Sequence, residues 1–465
     1  MTELNSRWRQ RIEEIGKDAF QLEEMLRLGF ITEEALEEIG AQKDALEKLV
    51  QELAPISLEI QQTNTELANL GTVEGVIAEI RRQRIERVKA ERVERKAKKL
   101  AEKLERQVTW KSQNLRTPSF LGVGVSNRLK FEGGNEAALR DKGLPVLETL
   151  SDLAVITGLT NEDLIWLSYE RAATDADHYS RFEIPKRTGG TRLISSPKPK
   201  MRKAQLAINN SILDKLQSSS ATYAFKKSTS IVDNANQHTN SSVILKLDIK
   251  DFFPSITFPR VRGFFESLGY NPGISTVLAL LCTDAPRRKV TIKGFSQVVA
   301  IGERSLPQGA CTSPALSNLI ASPMDLRILG WIRKSATDWK YTRYADDITF
   351  STKNDDKHLG KLIGYINRVV REEGFEIKTQ KTRIMRSPRR QTVTGLVVNQ
   401  DVRIRKSELK KIRAFLHSCE KLGVPEMSHR IGKDALSVAR GFVAYVQMVM
   451  PDKANEYRQK YPWLS

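Results

Sequence analysis

Cysteine is scarce in this chain, and neither a long apolar run nor a low-complexity segment is present. Three of the 465 residues are cysteines, Cys282, Cys311 and Cys419, and their wide spacing argues against a disulfide framework and against a zinc site. No window approaches the roughly 18 consecutive apolar residues that indicate a membrane-spanning helix. The polar start, MTELNSRWRQ, is unlike a secretory signal. These absences predict a cytoplasmic protein that does not bind membranes.

The composition nevertheless provides enough apolar residues for folded cores. Hydrophobic residues make up 40% of the chain, which excludes intrinsic disorder, a collagen-like polymer and a small disulfide-stapled domain. The length predicts roughly two or three domains.

Charge is distributed unevenly along the chain. Lys and Arg total 75 against 56 Asp and Glu, a formal net charge of +19. Residues 1–75 have a net charge of −9, residues 76–106 a net charge of +6, and the remainder a net charge of +22. The electrostatic field of a protein with this positive net charge attracts polyanions, of which nucleic acid is the commonest. Charge alone leaves other interpretations open, because many basic proteins are merely soluble.

The sequence pattern of residues 1–106 predicts a helical extension. From about residue 3 to residue 53, apolar residues recur at i, i+3 and i+4 spacings, which indicates amphipathic helices. Pro55 and Gly71 are expected to break this pattern. Residues 76–106 contain no Gly or Pro and mix Glu with Lys and Arg at helical spacings, which predicts a long helix in a coiled-coil hairpin or bundle. Its basic face is either a solvated surface or an RNA contact.

The sequence pattern of residues 107–177 predicts a linker followed by helices. Thr, Ser, Gly and Asn clusters between residues 107 and 135 are typical of an irregular connection. Helical patterns return at 136–157 and at 161–173, the second with Asn161 as its N-cap. Beyond Phe182 short β-like runs alternate with helices, and the last 65 or so residues are mostly helical and basic.

The strongest chemical signal is the segment WKYTRYADDITFS at residues 339–351. Aromatic and β-branched residues flank Ala345-Asp346-Asp347, which predicts a β-hairpin with both carboxylates at its turn. A second β-like run, VILKLDI at residues 243–249, has Asp248 near its end. One carboxylate on a strand and two on a hairpin can bind two divalent cations roughly 3.5–4 Å apart, an arrangement that serves phosphoryl transfer. An isolated Asp-Asp pair is more often only a turn.

The segment LPQGACTSPALSNL, residues 306–319, lies between these two runs. A first Asp, an LPQG segment and a Y-x-D-D box in this order resemble the reverse transcriptases, over about residues 178–417. The resemblance implies an RNA-directed DNA polymerase with an α+β right-hand fold. It places fingers and an antiparallel-sheet palm at 178–390, and a primer-grip hairpin and helical thumb at 391–465, with the helical extension of residues 1–106 in front.

The resemblance also implies the catalytic residues. Asp248, Asp346 and Asp347 match the metal ligands of the palm, with the backbone carbonyl of Ile249 assisting them. The implied cofactor is a pair of Mg²⁺ ions, which Mn²⁺ can replace.

A second implied set binds the dNTP: Lys186, Arg192, Phe253, Gln308, Gly309 and Lys381. Phe253 falls where the family has an aromatic steric gate against the ribose 2′-OH. Arg192, with Lys186, is expected to bind the triphosphate, because the planar guanidinium matches phosphate oxygens. Gln308 and Gly309 match the segment that lines the dNTP pocket, and Lys381 is placed to reach the leaving pyrophosphate.

Two short signatures narrow the resemblance to retron reverse transcriptases. NANQH at residues 234–238 matches their NAxxH pattern before the first Asp, and VTG at residues 393–395 matches their triplet before the thumb. Each match is weak alone. The nucleic-acid contacts that this resemblance implies are Asn234, His238, Tyr344, Val393, Thr394, Gly395, Lys410, Lys411 and Arg413. The last three are equally well interpreted as a solvated helix face.

A retron enzyme binds the structured RNA transcribed beside it, primes from the 2′-OH of an internal guanosine and makes multicopy single-stranded DNA (msDNA) for anti-phage defence. No RNase H-like carboxylate set is apparent here, so a host RNase H is the implied partner. Residues 1–106 contain no catalytic motif and are interpreted as a contact for an effector protein or for self-association. The alternatives are a group II intron-like, diversity-generating or other defence-associated reverse transcriptase, and a non-catalytic nucleic-acid-binding module on the same fold.

Overall fold

A computed structural model describes residues 11–68, 73–174, 176–186, 189–292, 295–335, 337–354 and 359–464. The chain divides into two compact units, Met1–Ser112 and Gln113–Ser465. No helix of the described residues combines the length and the hydrophobicity that a bilayer crossing requires.

The first unit is α-helical. Its helices are α1 (Lys17–Arg27), α2 (Glu33–Ala68) and α3, which spans Val73–Arg116 and so reaches the second unit. Lys103 Nζ of α3 lies 3.0 Å from a carboxylate oxygen of Glu38 on α2. Because α2 and α3 are separated by only a few residues, this contact near their far ends makes them an antiparallel hairpin, as predicted.

Two predicted boundaries in this hairpin are wrong. Pro55 lies inside α2 and does not end it; it removes one backbone donor, at a cost of about 3 kcal/mol, and residues on either side continue the helix. The helix α3 also continues past residue 106 to Arg116, where Pro118 disfavours helical backbone at Thr117. The predicted break at Gly71 lies outside the described residues.

The helices of the second unit surround short sheets. They are α4 (Glu136–Asp141), α5 (Leu150–Thr157), α6 (Asn161–Ser168), α7 (Pro199–Ser211), α8 (Ile231–Asn236), α9 (Phe258–Leu268), α10 (Pro272–Cys282), α11 (Ser313–Lys334), α12 (Leu359–Glu372), α13 (Lys406–Leu422), α14 (Val424–Ile431), α15 (Ala435–Val449) and α16 (Pro451–Lys460). The predicted helix at 161–173 is shorter in the structure: Thr160, not Asn161, is its N-cap, and its side chain accepts a hydrogen bond from Asp163 N.

The strands form four antiparallel groups. They are β1 (Ala173–Thr174), β2 (Tyr179–Pro185), β3 (Thr191–Pro197), β4 (Val243–Asp248), β5 (Arg287–Ile292), β6 (Phe295–Ala300), β7 (Lys340–Tyr344), β8 (Asp347–Thr352), β9 (Arg383–Arg386), β10 (Thr392–Val393) and β11 (Leu396–Val397). The largest is a four-stranded sheet in the order β7-β8-β4-β9, and β2-β3, β10-β11 and β1-β6-β5 form smaller ones.

The four-stranded sheet positions the candidate site. Its central strand β4, VILKLD, is almost entirely buried, as expected for β-branched and aliphatic residues in the middle of a sheet. The strand pairs with β8 in the register Val243 to Thr352 through Asp248 to Asp347. The end of β4 and the start of β8 therefore lie side by side at one edge of the sheet.

The carboxyl-terminal helices α13–α16 form a separate core with the β10-β11 hairpin. Buried residues of this core include Val393, Leu396, Leu416 and Val446. This agrees with the right-hand α+β fold, in which a helical thumb follows the palm.

Candidate active site

The three predicted catalytic carboxylates lie at the same edge of the central sheet. Asp248 ends β4 and is paired directly with Asp347, the first residue of β8. Asp346 precedes it in the turn between β7 and β8, and the Ile249 amide donates to the Asp346 carbonyl over 2.9 Å. Residues about a hundred positions apart in the sequence are thus neighbours through backbone pairing alone.

The turn that presents Asp346 contains a strained residue. Tyr344 pairs with Asp347, so Ala345 and Asp346 form a two-residue loop, and the predicted hairpin is confirmed. Ala345 has φ +56°, a left-handed conformation that costs a non-glycine residue about 1 kcal/mol or more. Positive φ at the first loop position matches the twist of the flanking strands.

A buried arginine supports this turn from below. Arg343 is fully buried, and its guanidinium contacts both carboxylate oxygens of Asp325 on α11, one at 2.7 Å. It also donates to Thr222 Oγ1 at 2.9 Å, to Asn318 Oδ1 at 3.0 Å and to the Ala345 carbonyl at 3.3 Å. The network connects α11, the segment before α8 and the strained turn.

The electrostatics of the carboxylates fit a hard divalent cation. Burial raises the pKa of Asp346, and the neighbouring charges of Asp347 and Asp248 raise it further. This mutual repulsion is what a bound cation relieves, and carboxylate oxygens are the ligands that Mg²⁺ prefers.

Two lysines contact these carboxylates in the structure. Lys381 Nζ lies 2.7 Å from Asp248 Oδ2, and Lys246 Nζ lies 3.4 Å from Asp347 Oδ2. Among the described residues, no group of three or more His, Cys, Asp or Glu side chains is arranged closely enough to hold a metal ion. A cation that binds at this edge must therefore compete with two ammonium groups for the carboxylates.

A cleft of about 220 Å³ brings together three of the residues predicted to bind dNTP. Lys186 and Arg192, from the β2-β3 hairpin, line it together with Gln308. The Gln308 Oε1 atom is buried without a hydrogen-bond partner, which leaves it available to a ligand. The cleft thus combines two cations with a free buried acceptor.

Gly309 and Ser195 fix the wall of this cleft. Ser195 N donates to the Gln308 carbonyl over 2.7 Å, which ties β3 to the LPQG segment. Gly309 has φ +111°, and a Cβ there would lie 2.9 Å from both Ile194 Cγ2 and the Ser195 carbonyl oxygen. Only glycine permits this approach.

The loop after β4 connects the carboxylates with the cleft. Pro254 lines the cleft, and its neighbour Phe253 is half-buried, with its ring 5.7 Å from that of Phe252 and 6.2 Å from that of Phe225. Leu306 N donates to the Ile256 carbonyl over 3.0 Å, which joins this loop to the LPQG segment. The predicted gate residue therefore lies on the loop that runs from Asp248 to the cleft.

Three residues predicted to contact nucleic acid are instead buried. Asn234 is 1% exposed, and His238 and Val393 are 0% exposed. The His238 ring bonds to Ser351 Oγ at 2.8 Å and to Thr342 Oγ1 at 2.7 Å, and burial lowers its pKa to about 3. The prediction of direct contacts by these three side chains is corrected: His238 is a neutral residue that connects β7 with β8, and Val393 belongs to the thumb core.

The two signatures that contain these residues lie against each other. Thr394 Oγ1 donates to the Ile231 carbonyl of α8 over 3.1 Å, and Ala235 shares a buried core with Val393. Thr394 and Gly395 form the β10-β11 turn with φ values of +45° and +90°. The NAxxH and VTG segments thus form one structural element, although the sequence separates them by more than 150 positions.

The other predicted nucleic-acid residues are accessible. Lys410, Lys411 and Arg413 are exposed on α13, while Ile412 and Leu416 face its core. Gly395 is exposed at the tip of the β10-β11 turn. Tyr344 and Thr394 are partly exposed.

Sequence reasoning missed the Arg343–Asp325 pair. An arginine inside the strand KYTRY looks like a surface residue, since charged residues are rarely buried. The available signal was its position directly before the YADD box, in a strand of aromatic and β-branched residues.

Comparisons with known proteins agree with this arrangement. A family model described as reverse transcriptase (RNA-dependent DNA polymerase) matches residues 184–413. The retron Mx162 reverse transcriptase of Myxococcus xanthus is 35% identical over 395 residues, covering 80% of this chain and 78% of that protein. The retron Mx65 enzyme of the same organism is 38% identical, covering 70% and 74%. The retron Ec86 reverse transcriptase of Escherichia coli is 36% identical, covering 61% and 82%.

The range matched by the family model, residues 184–413, includes the three carboxylates, the cleft residues and both short signatures. Members of this family use divalent metal ions and RNA, in agreement with the acidic edge of the sheet and the basic surface. The chain belongs to the retron reverse transcriptases and is an RNA-directed DNA polymerase.

Proposed function

We propose that this enzyme is the polymerase of a retron. It binds its cognate structured RNA, primes DNA synthesis from the 2′-OH of an internal guanosine and produces msDNA that stays joined to the RNA through a 2′,5′ linkage. The observation that supports this most strongly is the 35% identity to the Mx162 retron enzyme over 80% of the chain. The contact between Thr394 and α8, which unites the two retron signatures, supports it further.

Asp248, Asp346 and Asp347 hold two Mg²⁺ ions in this proposal, assisted by the Ile249 carbonyl. When bound, the ions supply activation of the attacking hydroxyl and stabilisation of the charge that develops on the phosphates. The protein provides the position of the ligands through the β4-β8 register. Lys381 neutralises Asp248 in the structure and, once released from it, is the group within reach of the leaving pyrophosphate.

Arg192 and Lys186 bind the triphosphate of the incoming dNTP. Both lie on the β2-β3 hairpin and line the cleft, where the guanidinium of Arg192 can bond two phosphate oxygens at once. Gln308, with its unpartnered buried Oε1, accepts a hydrogen bond from the sugar or the base.

The RNA is held by the thumb and by the element formed from the two signatures. The exposed Lys410, Lys411 and Arg413 contact phosphates, while the exposed turn at Thr394 and Gly395 approaches the RNA backbone. Stem-loops of the cognate RNA are recognised by shape and by 2′-OH groups. The enzyme acts in the bacterial cytoplasm, where a host RNase H removes the copied template and an effector protein completes a defence system.

The test is to co-express the enzyme with the locus that adjoins its gene and to sequence the nucleic acid that co-purifies. We expect single-stranded DNA joined to an RNA at one guanosine, which a 2′,5′-debranching enzyme releases. Linear DNA that needs no debranching, from an enzyme that still extends a supplied primer, would show another class of reverse transcriptase.

Phe253 is expected to exclude ribonucleotides. Replacing it with alanine removes the ring from the loop between Asp248 and the cleft, so the ratio of rNTP to dNTP incorporation should rise by about tenfold or more, the size of a lost steric contact. Single-nucleotide incorporation with competing dNTP and rNTP measures this ratio. Phe120→Ala is the control, because Phe120 is an exposed aromatic outside the loop that joins Asp248 to the cleft. An unchanged ratio in Phe253→Ala would remove the gate assignment.

A further inference from the structure

The two long helices of the first unit have opposite charges of equal size. Helix α2 contains nine acidic and two basic residues, a net charge of −7. Helix α3 contains fourteen basic and seven acidic residues, a net charge of +7. The two helices together therefore have no net charge, because the negative charge of α2 balances the positive charge of α3.

The half-buried residues of α3 follow one stripe, the inner stripe, and Lys103 beside it contacts Glu38 of α2. The half-buried residues of this inner stripe recur at seven-residue intervals: Glu79, Glu86, Val93, Leu100 and Gln107. A seven-residue repeat is the pattern of coiled-coil packing. This stripe accounts for the contact within the hairpin.

A second stripe on α3 is exposed. Its apolar members, which we call the outer stripe, are Val76, Ile80, Ala90, Ala97, Ala101, Leu104 and Val108; between Ile80 and Ala97, the polar residues Gln83, Arg87 and Glu94 interrupt the seven-residue repeat. Val76, Ile80 and Val108 are 62%, 61% and 68% exposed. A helix with two such stripes is typical of bundles of more than two helices, because each stripe requires its own partner. The alanines allow a partner helix to approach closely.

The neighbouring helix is incompletely covered as well. On α2, Val50 is 62% exposed and Leu58 is 60% exposed. Scattered apolar residues on a surface are ordinary, but here they occur on both helices of one hairpin, and Leu104 and Val108 on α3 follow the alanines of the outer stripe at helical spacing. Further burial of this hairpin is therefore favourable.

We propose that the α2–α3 hairpin pairs with the same hairpin of a second copy of this chain, forming an antiparallel four-helix bundle. About a two-fold axis, the acidic α2 of each copy lies against the basic α3 of the other, so one contact is made twice. The same arrangement covers the outer stripe. RNA is a poorer partner for this face, since its phosphates would be repelled by the net charge of −7 on α2 and would gain nothing from the apolar side chains.

The mass of the full-length protein tests this pairing. After nuclease treatment, light scattering should give about twice the chain mass of 52.6 kDa. The double substitution Val76→Glu and Val108→Glu should reduce it to the monomer mass, because two buried charges oppose the contact. The matched control is Val123→Glu with Val155→Glu, at valines 86% and 84% exposed outside the hairpin, which should leave the mass doubled. Circular dichroism should show equal helix content in all three proteins.

Charge exchange provides a second readout that misfolding cannot imitate. A variant with Glu52→Lys and Glu59→Lys, and another with Arg87→Glu and Arg95→Glu, change exposed residues of α2 and α3, respectively. Each alone should associate less, and an equimolar mixture should recover the doubled mass through complementary pairs. Primer extension on a supplied template should proceed at the wild-type rate in every variant. A monomeric wild-type protein, or a doubled mass that persists in Val76→Glu with Val108→Glu, would overturn the proposal.

Discussion

Replacing Asp347 with asparagine should abolish DNA synthesis while leaving the fold intact. Asparagine has the same shape, but it removes the negative charge that a divalent ion needs at the edge of the β4-β8 pair. We expect primer extension to fall by about a thousandfold or more, equivalent to roughly 4 kcal/mol in the activation barrier. The rate is measured on a supplied RNA template with a DNA primer, at saturating dNTP.

The same substitution should not destabilise the protein. The charge of Asp347 raises the pKa of Asp346, so its removal relieves a repulsion, and the melting temperature measured in EDTA should be unchanged or slightly higher. Asp401→Asn is the control, because Asp401 is exposed and pairs with the exposed Arg403; it should keep full activity. Synthesis at the wild-type rate by Asp347→Asn would show that these carboxylates do not bind the catalytic metal.

Much of this site was predictable because short sequence patterns encode it. The aromatic and β-branched residues around Ala345 specify a hairpin, and the run before Asp248 specifies a buried strand, so the two motifs had few ways to pair other than side by side. The basic hairpin around Arg192 was predictable for the same reason. Its position beside Gln308 was an expectation from resemblance, and the cleft agrees with it.

Other features depend on tertiary contacts that local patterns do not encode. His238 and Asn234 belong to a recognisable signature, which suggested contacts to RNA, whereas packing between the palm strands and the thumb core buries both side chains. Pro55 was expected to end a helix, but the loss of one backbone hydrogen bond there did not outweigh the helical residues on both sides of it, so α2 continues through it. The left-handed backbone at Ala345 likewise follows from the turn and from Arg343 beneath it.

Breaking the buried ion pair between Arg343 and Asp325 should have a large effect on both stability and activity. Both side chains are 0% exposed, so Asp325→Leu leaves an arginine buried without its counter-charge. Breaking a buried pair in this way costs about 3–5 kcal/mol of unfolding free energy, and denaturant unfolding should show it. Arg327→Met on the same helix breaks two ion pairs at the surface, with Glu372 and Glu373, whose side chains are 48% and 22% exposed, and should cost only about 1 kcal/mol.

The double substitution Arg343→Met with Asp325→Leu separates folding from catalysis. Replacing a buried ion pair with apolar residues of similar volume is often neutral for stability, so part of the lost unfolding free energy should return, although Tyr341, Thr222 and Asn318 lose buried hydrogen-bond partners. The Ala345 carbonyl, however, no longer receives its hydrogen bond from Arg343, and the strained turn that presents Asp346 loses its support. We therefore expect kcat to stay at least about tenfold below wild type, about 1.4 kcal/mol, with little change in KM for dNTP, because the cleft residues Arg192 and Gln308 are untouched. Full recovery of kcat together with stability would show that Arg343 serves only the fold, whereas stability without activity identifies it as the residue that positions the turn.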